Sequence, residues 1–227
     1  MFRGCRLVTW NIGQRGLSQT LASTFSGSLA NLVASLEADI VLLQETKLAS
    51  RKPQPQMLVE GFTSFFCSTR NSSPYAGVGV LIRDALCLPV LGFEEGVTGA
   101  LQAARVPGVG AGVRGGAGDA PTADDLHVAG HSFTALELDS DGRALLLDLG
   151  QFVLVCVYCP AGSDDAAKRA FRILFLKALG RRLRKLLAGG AKVLLAGDVN
   201  VSLTEKDTAF PLSDDSIPAR AWLSGLL

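Results

Sequence analysis

The sequence predicts a mixed α/β (α+β) domain, and three observations carry that prediction. Residues 4–47 read as strand, helix, strand. Residues 62–82 and 133–158 read as short strands joined by turns. Residues 152–200 again read as strand, helix, strand. A length of 227 residues suits one domain with a sizeable core. With 48% hydrophobic and 19% charged residues, the chain is globular rather than disordered. A net charge of +1 names no partner class, so any basic patch is local.

Each element has a local reason. Gly4 to Trp10 form a first strand running into Asn11 and Ile12, and Gly13 and Gly16 mark the loop behind it. Leu21, Phe25, Leu29, Leu32, Val33 and Leu36 recur at helical spacing. They predict one amphipathic helix to about Glu37, loosened in its first half by serine and glycine. Asp39 opens the next strand, Ile40–Gln44, which ends at Glu45, Thr46 and Lys47. A right-handed crossover brings Asn11 and Glu45 to the same sheet edge.

Residues 48–57 are a loop with two prolines. Phe62–Cys67 and Gly77–Ile82 predict antiparallel strands joined by the polar hairpin Ser68–Tyr75. Lys47 and Arg70 are candidate phosphate contacts, with plain surface solvation as the alternative for each. Residues 99–131 are rich in glycine and alanine and predict a flexible surface insertion with no core of its own. His127 and His131 fall near its end and read as a loop pair without metal. Phe133–Leu138, Ala144–Leu149 and Phe152–Tyr158, separated by turn residues, predict an antiparallel meander.

Pro160 closes that meander, and Asp164 and Asp165 sit where a helix should start. Phe171, Leu174, Phe175, Ala178, Leu179 and Leu183 form its apolar stripe up to Gly189 and Gly190. The surrounding lysines and arginines predict a solvated basic face, with membrane or nucleic-acid binding as the alternative. Val193–Ala196 reads as a buried strand closed by Gly197, and Asp198 and Asn200 follow. Were the strand to stay extended, both side chains would share one face and suit a divalent cation with an activated water. A plain Gly-Asp turn after a core strand is the alternative reading of that stretch.

The five cysteines are an odd count, which argues against a disulfide framework. Cys156 and Cys159 read as core residues of a strand. No apolar run reaches the ~20 residues of a membrane helix, and the start lacks a signal-peptide core. The default expectation is an intracellular, reducing compartment.

Trp10-Asn11, Gln44-Glu45-Thr46-Lys47, Tyr158-Cys159-Pro160 and Gly197-Asp198-Val199-Asn200, in this order at strand ends, resemble the exonuclease III class of apurinic/apyrimidinic (AP) endonucleases. That class belongs to the endonuclease/exonuclease/phosphatase superfamily. The stretches 38–47, 68–71, 75–78 and 138–145 are most similar to its second eukaryotic branch. The resemblance implies a four-layer αββα sandwich, with the second sheet incomplete in this chain. It implies Mg²⁺ as cofactor, with Mn²⁺ as an alternative, held by Asn11, Glu45, Asp198 and Asn200. It implies catalytic roles for Tyr158 at the phosphate, Asp198 at the attacking water and Asn200 in orienting both. The implied partner is double-stranded DNA with abasic sites or blocked 3′ ends, bound by a monomer in the nucleus, with mitochondrion or cytoplasm as alternatives; no membrane is implied.

Two departures from the family pattern stand out. Gly13 occupies a position that the family fills with a polar or acidic residue near the metal. The family's phosphate-contacting histidine, held by an aspartate, has no counterpart here. The apolar pattern around Trp222 stops in mid-helix, so the expectation is a truncated chain of weak or no activity. Two rivals remain at this level: a non-catalytic module that binds DNA or a repair partner, and a superfamily hydrolase of an inositol phosphate, a sphingolipid or poly(A).

Overall fold

The computed structural model describes residues 4–48, 57–70, 74–101, 110–111, 113, 121–122, 124–208 and 216–226. Most of the 48–57 loop, the hairpin tip at 71–73, much of 99–131 and the acidic pair Asp214–Asp215 lie outside the described residues. In chain order the elements are β1 (Leu7–Asn11), α1 (Gly16–Thr24), α2 (Leu29–Leu36), β2 (Ile40–Gln44), β3 (Phe62–Cys67) and β4 (Val78–Arg83). There follow β5 (Gly92–Glu95), β6 (Gly110–Ala111), β7 (His127–Val128), β8 (His131–Ser132), α3 (Ala135–Asp139) and β9 (Ala144–Asp148). The last are β10 (Val153–Tyr158), α4 (Ala166–Ala188), β11 (Val193–Asp198) and α5 (Ser216–Ser224).

Two sheets stack between helices, as the four-layer reading expects. One has the order β1-β2-β4-β3 and the other β11-β10-β9-β5-β6. Ile40, Leu42, Val80 and Ile82 of the first sheet pack against Leu145, Leu147, Leu154 and Cys156 of the second. The opposite faces carry the helices. Leu17, Leu21, Leu32 and Val33 cover Val41, Leu43 and Leu81, while Leu174, Phe175, Leu179 and Leu183 cover Leu146, Val153, Val155 and Val157. β2 and β9 are therefore buried on both faces, which explains why they read as continuous apolar runs.

Each sheet carries one parallel crossover at the site's edge. β1 pairs in parallel with β2 across α1 and α2, with Asn11 opposite Gln44. β10 pairs in parallel with β11 across α4, with Tyr158 opposite Asp198. A strand, a covering helix and a parallel return strand bring both strand C-termini to one edge. β11 also lies against β1 and β2 across the interlayer space, so the two edges meet.

Several sequence expectations are corrected. The single helix expected up to Glu37 is two helices. Ser26 and Gly27 both take left-handed backbone conformations, and the Ser28 hydroxyl accepts the Asn31 N–H to cap α2. Phe133–Leu138 is not a strand of the meander. Thr134 and Glu137 form a reciprocal capping box that starts α3. The basic helix α4 is not solvated on all its charged positions: Arg172 is 4% and Arg182 3% exposed. Arg182 pairs with the buried Glu94 of β5. The 99–131 stretch does share the core where it is described, since Leu101, Val113 and Leu126 are buried. The Trp222 indole of α5 packs onto Gly180 of α4, where any Cβ would collide with it.

Candidate active site

The site forms where the C-terminal ends of β1, β2, β10 and β11 converge. Asn11 ends β1, and Glu45 is the first residue beyond β2. Glu45 and Lys47 both hold left-handed φ values, 57° and 49°. The turn between them is fixed from three sides. Thr46 N–H donates to the Gly77 carbonyl, Lys47 N–H to the Ala76 carbonyl, and Leu17 N–H to the Thr46 carbonyl. Non-glycine residues in this region cost about 1–3 kcal/mol each and persist where their surroundings impose them.

From the other sheet come Tyr158 and Asp198. Gly197 precedes Asp198 with φ 133°, and a Cβ there would run into the Val157 carbonyl. Only glycine lets β11 approach β10 that closely. Beyond Asp198 the strand does not stay extended. Asn200 turns into the left-handed region at φ 49°, and its N–H donates to Asp198 Oδ1 at 2.9 Å. The expectation that both side chains share one strand face is therefore replaced by a turn folded back on the carboxylate. The Asn200 side-chain amide donates to the Cys159 carbonyl at 2.8 Å.

One side chain joins the two halves. Asn11 Nδ2 donates to Glu45 Oε1 at 3.0 Å and to Asp198 Oδ2 at 2.7 Å. Its Oδ1 accepts the Gly13 N–H at 2.8 Å, so Gly13 contributes backbone where a side chain was anticipated. Lys47 Nζ sits 3.0 Å from Glu45 Oε2 and also donates to the Gln14 carbonyl. Burial alone would raise the Glu45 pKa; hydrogen bonds from Lys47, Asn11 and the Tyr158 phenol outweigh it and hold the carboxyl below its ordinary value. The Tyr158 phenol is pushed up to about 12, chiefly by burial and then by the Glu45 charge, so it remains a donor.

Glu45, Asp198, Tyr158, Asn11 and Lys47 are thus brought together, and Asn200 borders them. Arg70 is not part of the cluster contacts: its guanidinium pairs with Glu95 at 3.0 Å. His127 bonds Ser132 across the β7–β8 hairpin, beside α4. Sequence reasoning assigned no role to Arg143, which is buried and stacks under both Tyr158 and Tyr75, with ring centroids at 5.0 and 5.3 Å. Asp141 holds its Nε at 2.9 Å. The signal lay in the 138–145 stretch, but nothing in the sequence joins it to Tyr158. A groove of about 850 Å³ runs from Tyr158 and Arg143 past Tyr75, Phe133, Phe171 and Lys168.

The donor set suits a hard divalent cation. No group of three His, Cys, Asp or Glu side chains forms a metal cage among the described residues. Two carboxylates sharing an amide bridge instead fit a divalent cation that takes one or two carboxylates and keeps several waters.

Comparison with known proteins bears on the family and the fold. A profile described as "Endonuclease/Exonuclease/phosphatase family" matches residues 8–224. DNA-(apurinic or apyrimidinic site) endonuclease 2 of Schizosaccharomyces pombe is 32% identical over 98% of this chain and 43% of its own length. The Homo sapiens protein of that name is 31% identical over 98% of this chain and 44% of its own length. The chain thus spans less than half the length of these relatives. The crystal structure of the Xenopus laevis APE2 catalytic domain superposes with a TM-score of 0.72 at 28% identity, over 97% of this chain and 67% of that one. An AP endonuclease from Archaeoglobus fulgidus, 16% identical with a TM-score of 0.63 over 98% of this chain and 71% of its own, shares the fold. By sequence match and by architecture, the chain belongs to the endonuclease/exonuclease/phosphatase family.

Proposed function

We propose that residues 1–227 form one domain of a divalent-metal-dependent DNA repair nuclease. Its reaction is hydrolysis of the phosphodiester 5′ to an abasic site, with 3′-phosphodiesterase and 3′–5′ exonuclease activity at blocked ends. The observation that carries the reading is the meeting of Glu45 and Asp198 on Asn11. The names of the relatives support the substrate class.

Within the cluster, Asp198 is the base for the attacking water, because both its oxygens are aimed by fixed donors. The protonated Tyr158 donates to a phosphate oxygen, and Lys47 adds positive charge where the phosphate arrives. Mg²⁺, or Mn²⁺ in its place, supplies charge neutralisation at the phosphate when bound by Glu45 and its neighbours. Arg70 contacts the DNA backbone outside this cluster. The whole protein works as a monomer in the nucleus.

The test is incubation of the 227-residue chain with an abasic duplex and Mg²⁺ or Mn²⁺. Weak cleavage that disappears in Asp198→Asn is expected, since His127 is engaged on a distant hairpin and no other candidate for a phosphate-contacting histidine borders the cluster among the described residues. Cleavage that survives Asp198→Asn overturns the site. Turnover equal to a full-length homologue overturns the expectation of weak activity.

A further inference from the structure

Behind the cluster, α4 sends a buried arginine to the turn that carries Asn200. Arg172 is 4% exposed, and its guanidinium donates to the Asn200 carbonyl at 2.6 Å. Asn200 is held by its other groups as well. Its N–H reaches Asp198 Oδ1, and its side-chain amide reaches the Cys159 carbonyl. Two residues on, Arg220 of α5 grips the Ser202 carbonyl at 2.9 Å and the Ser202 hydroxyl at 3.1 Å. The segment after β11 is thus pinned by guanidinium groups from two helices.

We propose that Arg172 is a positioning residue of the nuclease site, acting through Asn200 on Asp198; this rests on the functional reading above. The left-handed backbone of Asn200 is intrinsically unfavourable for a non-glycine residue. A buried charged donor on its carbonyl holds the peptide in that state, and charge-assisted bonds are roughly twice as strong as neutral ones. The same peptide turn aims the Asn200 N–H at Asp198 Oδ1. Releasing the carbonyl lets the turn relax and frees the carboxylate to rotate away from Asn11. Burying a guanidinium is costly even when it is hydrogen-bonded. The bond to the Asn200 carbonyl ties this buried charge to the turn.

The test compares Arg172→Ala and Arg172→Lys with Asp198→Asn and with Arg182→Met, which removes a buried arginine of the same helix away from the site. Mn²⁺ affinity and melting temperature are measured for each folded chain. Arg172→Ala is expected to lose about ten- to a hundredfold in Mn²⁺ affinity, the range for residues that orient a metal's ligands. Arg172→Lys keeps the charge without the planar fork and is expected to fall between Ala and the parent. Added methylguanidinium should restore affinity to Arg172→Ala alone. Arg182→Met should lower the melting temperature while leaving Mn²⁺ affinity within about twofold. Parent-like affinity in Arg172→Ala, or an equal loss in Arg182→Met without rescue, overturns the positioning role. Should Arg172→Ala not fold, parent-like affinity in Arg172→Lys also overturns it. A folded parent that binds no Mn²⁺, or binds it equally as Asp198→Asn, overturns the functional reading and this inference with it.

Discussion

Asn11 and Asp198 are 187 positions apart in the chain and 2.7 Å apart in the fold, joined by one hydrogen bond that crosses from the first sheet to the second. The same nitrogen also binds Glu45. It is the shared donor that ties the two carboxylates together, with Lys47 on the far oxygen of Glu45. Asn11→Ala should therefore lower cleavage about tenfold or more, since misplaced ligands cost on that scale. Its melting temperature should rise less on addition of Mg²⁺ than that of the parent, because misplaced ligands hold the ion less tightly. Melting curves with and without Mg²⁺ check this; identical Mg²⁺ shifts would refute it.

Lys47 is the largest influence lowering the Glu45 pKa, against burial acting the other way. With the folded value below the unfolded one, ionised Glu45 favours the fold above the ordinary glutamate range. That contribution is lost as pH falls through the folded pKa. In Lys47→Met burial goes less opposed, so the carboxyl should titrate at higher pH. A carboxyl NMR titration of both proteins measures the shift. Movement to lower pH would contradict the assignment.

Tyr158 has its phenol raised to about 12, so it gives no alkaline limb at working pH and acts as a donor. Tyr158→Phe keeps the ring over Arg143 but removes the one O–H, which Glu45 accepts in the free site and which the proposed mechanism passes to the phosphate. Cleavage should fall about tenfold or more with a melting temperature close to the parent's. Loss of folding in Tyr158→Phe would instead assign the hydroxyl a structural role.

Arg182 and Glu94 form a buried pair, 2% and 4% exposed at their side chains. Arg182→Met should cost about 3–5 kcal/mol, because it strands a buried carboxylate. Burial already raises the Glu94 pKa against the pull of Arg182. A raised folded pKa means stability that is present at low pH and lost as pH rises through that value. The deficit of Arg182→Met should therefore be smaller at about pH 5 than at about pH 8. Urea unfolding at the two pH values decides it; a deficit independent of pH would refute the account.

Strand ends were legible because short apolar runs closed by Asn11, Glu45 and Gly197-Asp198 carry both their period and their stop. The first crossover then put Asn11 and Glu45 on one edge without any knowledge of contacts, whereas the meeting of that edge with Tyr158 and Asp198 rests on β11 packing against β1 and β2. What escaped the sequence depended on partners far along the chain. Arg172 and Arg182 sit in a helix full of basic residues, and only Asn200 and Glu94 explain why these two are buried. The α3 capping box was present as Thr134 and Glu137, yet Phe133–Leu138 is also a short, mostly apolar run followed by the turn residues 139–142, and the strand reading won. At Ser26 and Gly27 the apolar spacing ran straight through a break that only the backbone reveals.

The cluster draws its residues from both leaves of the sandwich, with β1 and β11 side by side at the seam. Its dimensions are therefore set by how the leaves slide on one another, not by either leaf alone. A slip of one residue along a strand is ~3.3 Å, more than enough to part Asn11 from Asp198. The apolar contacts between Leu42, Val80, Leu147 and Leu154 consequently act as the gauge of the catalytic gap. Substitutions deep in that seam should detune the chemistry before they melt the protein.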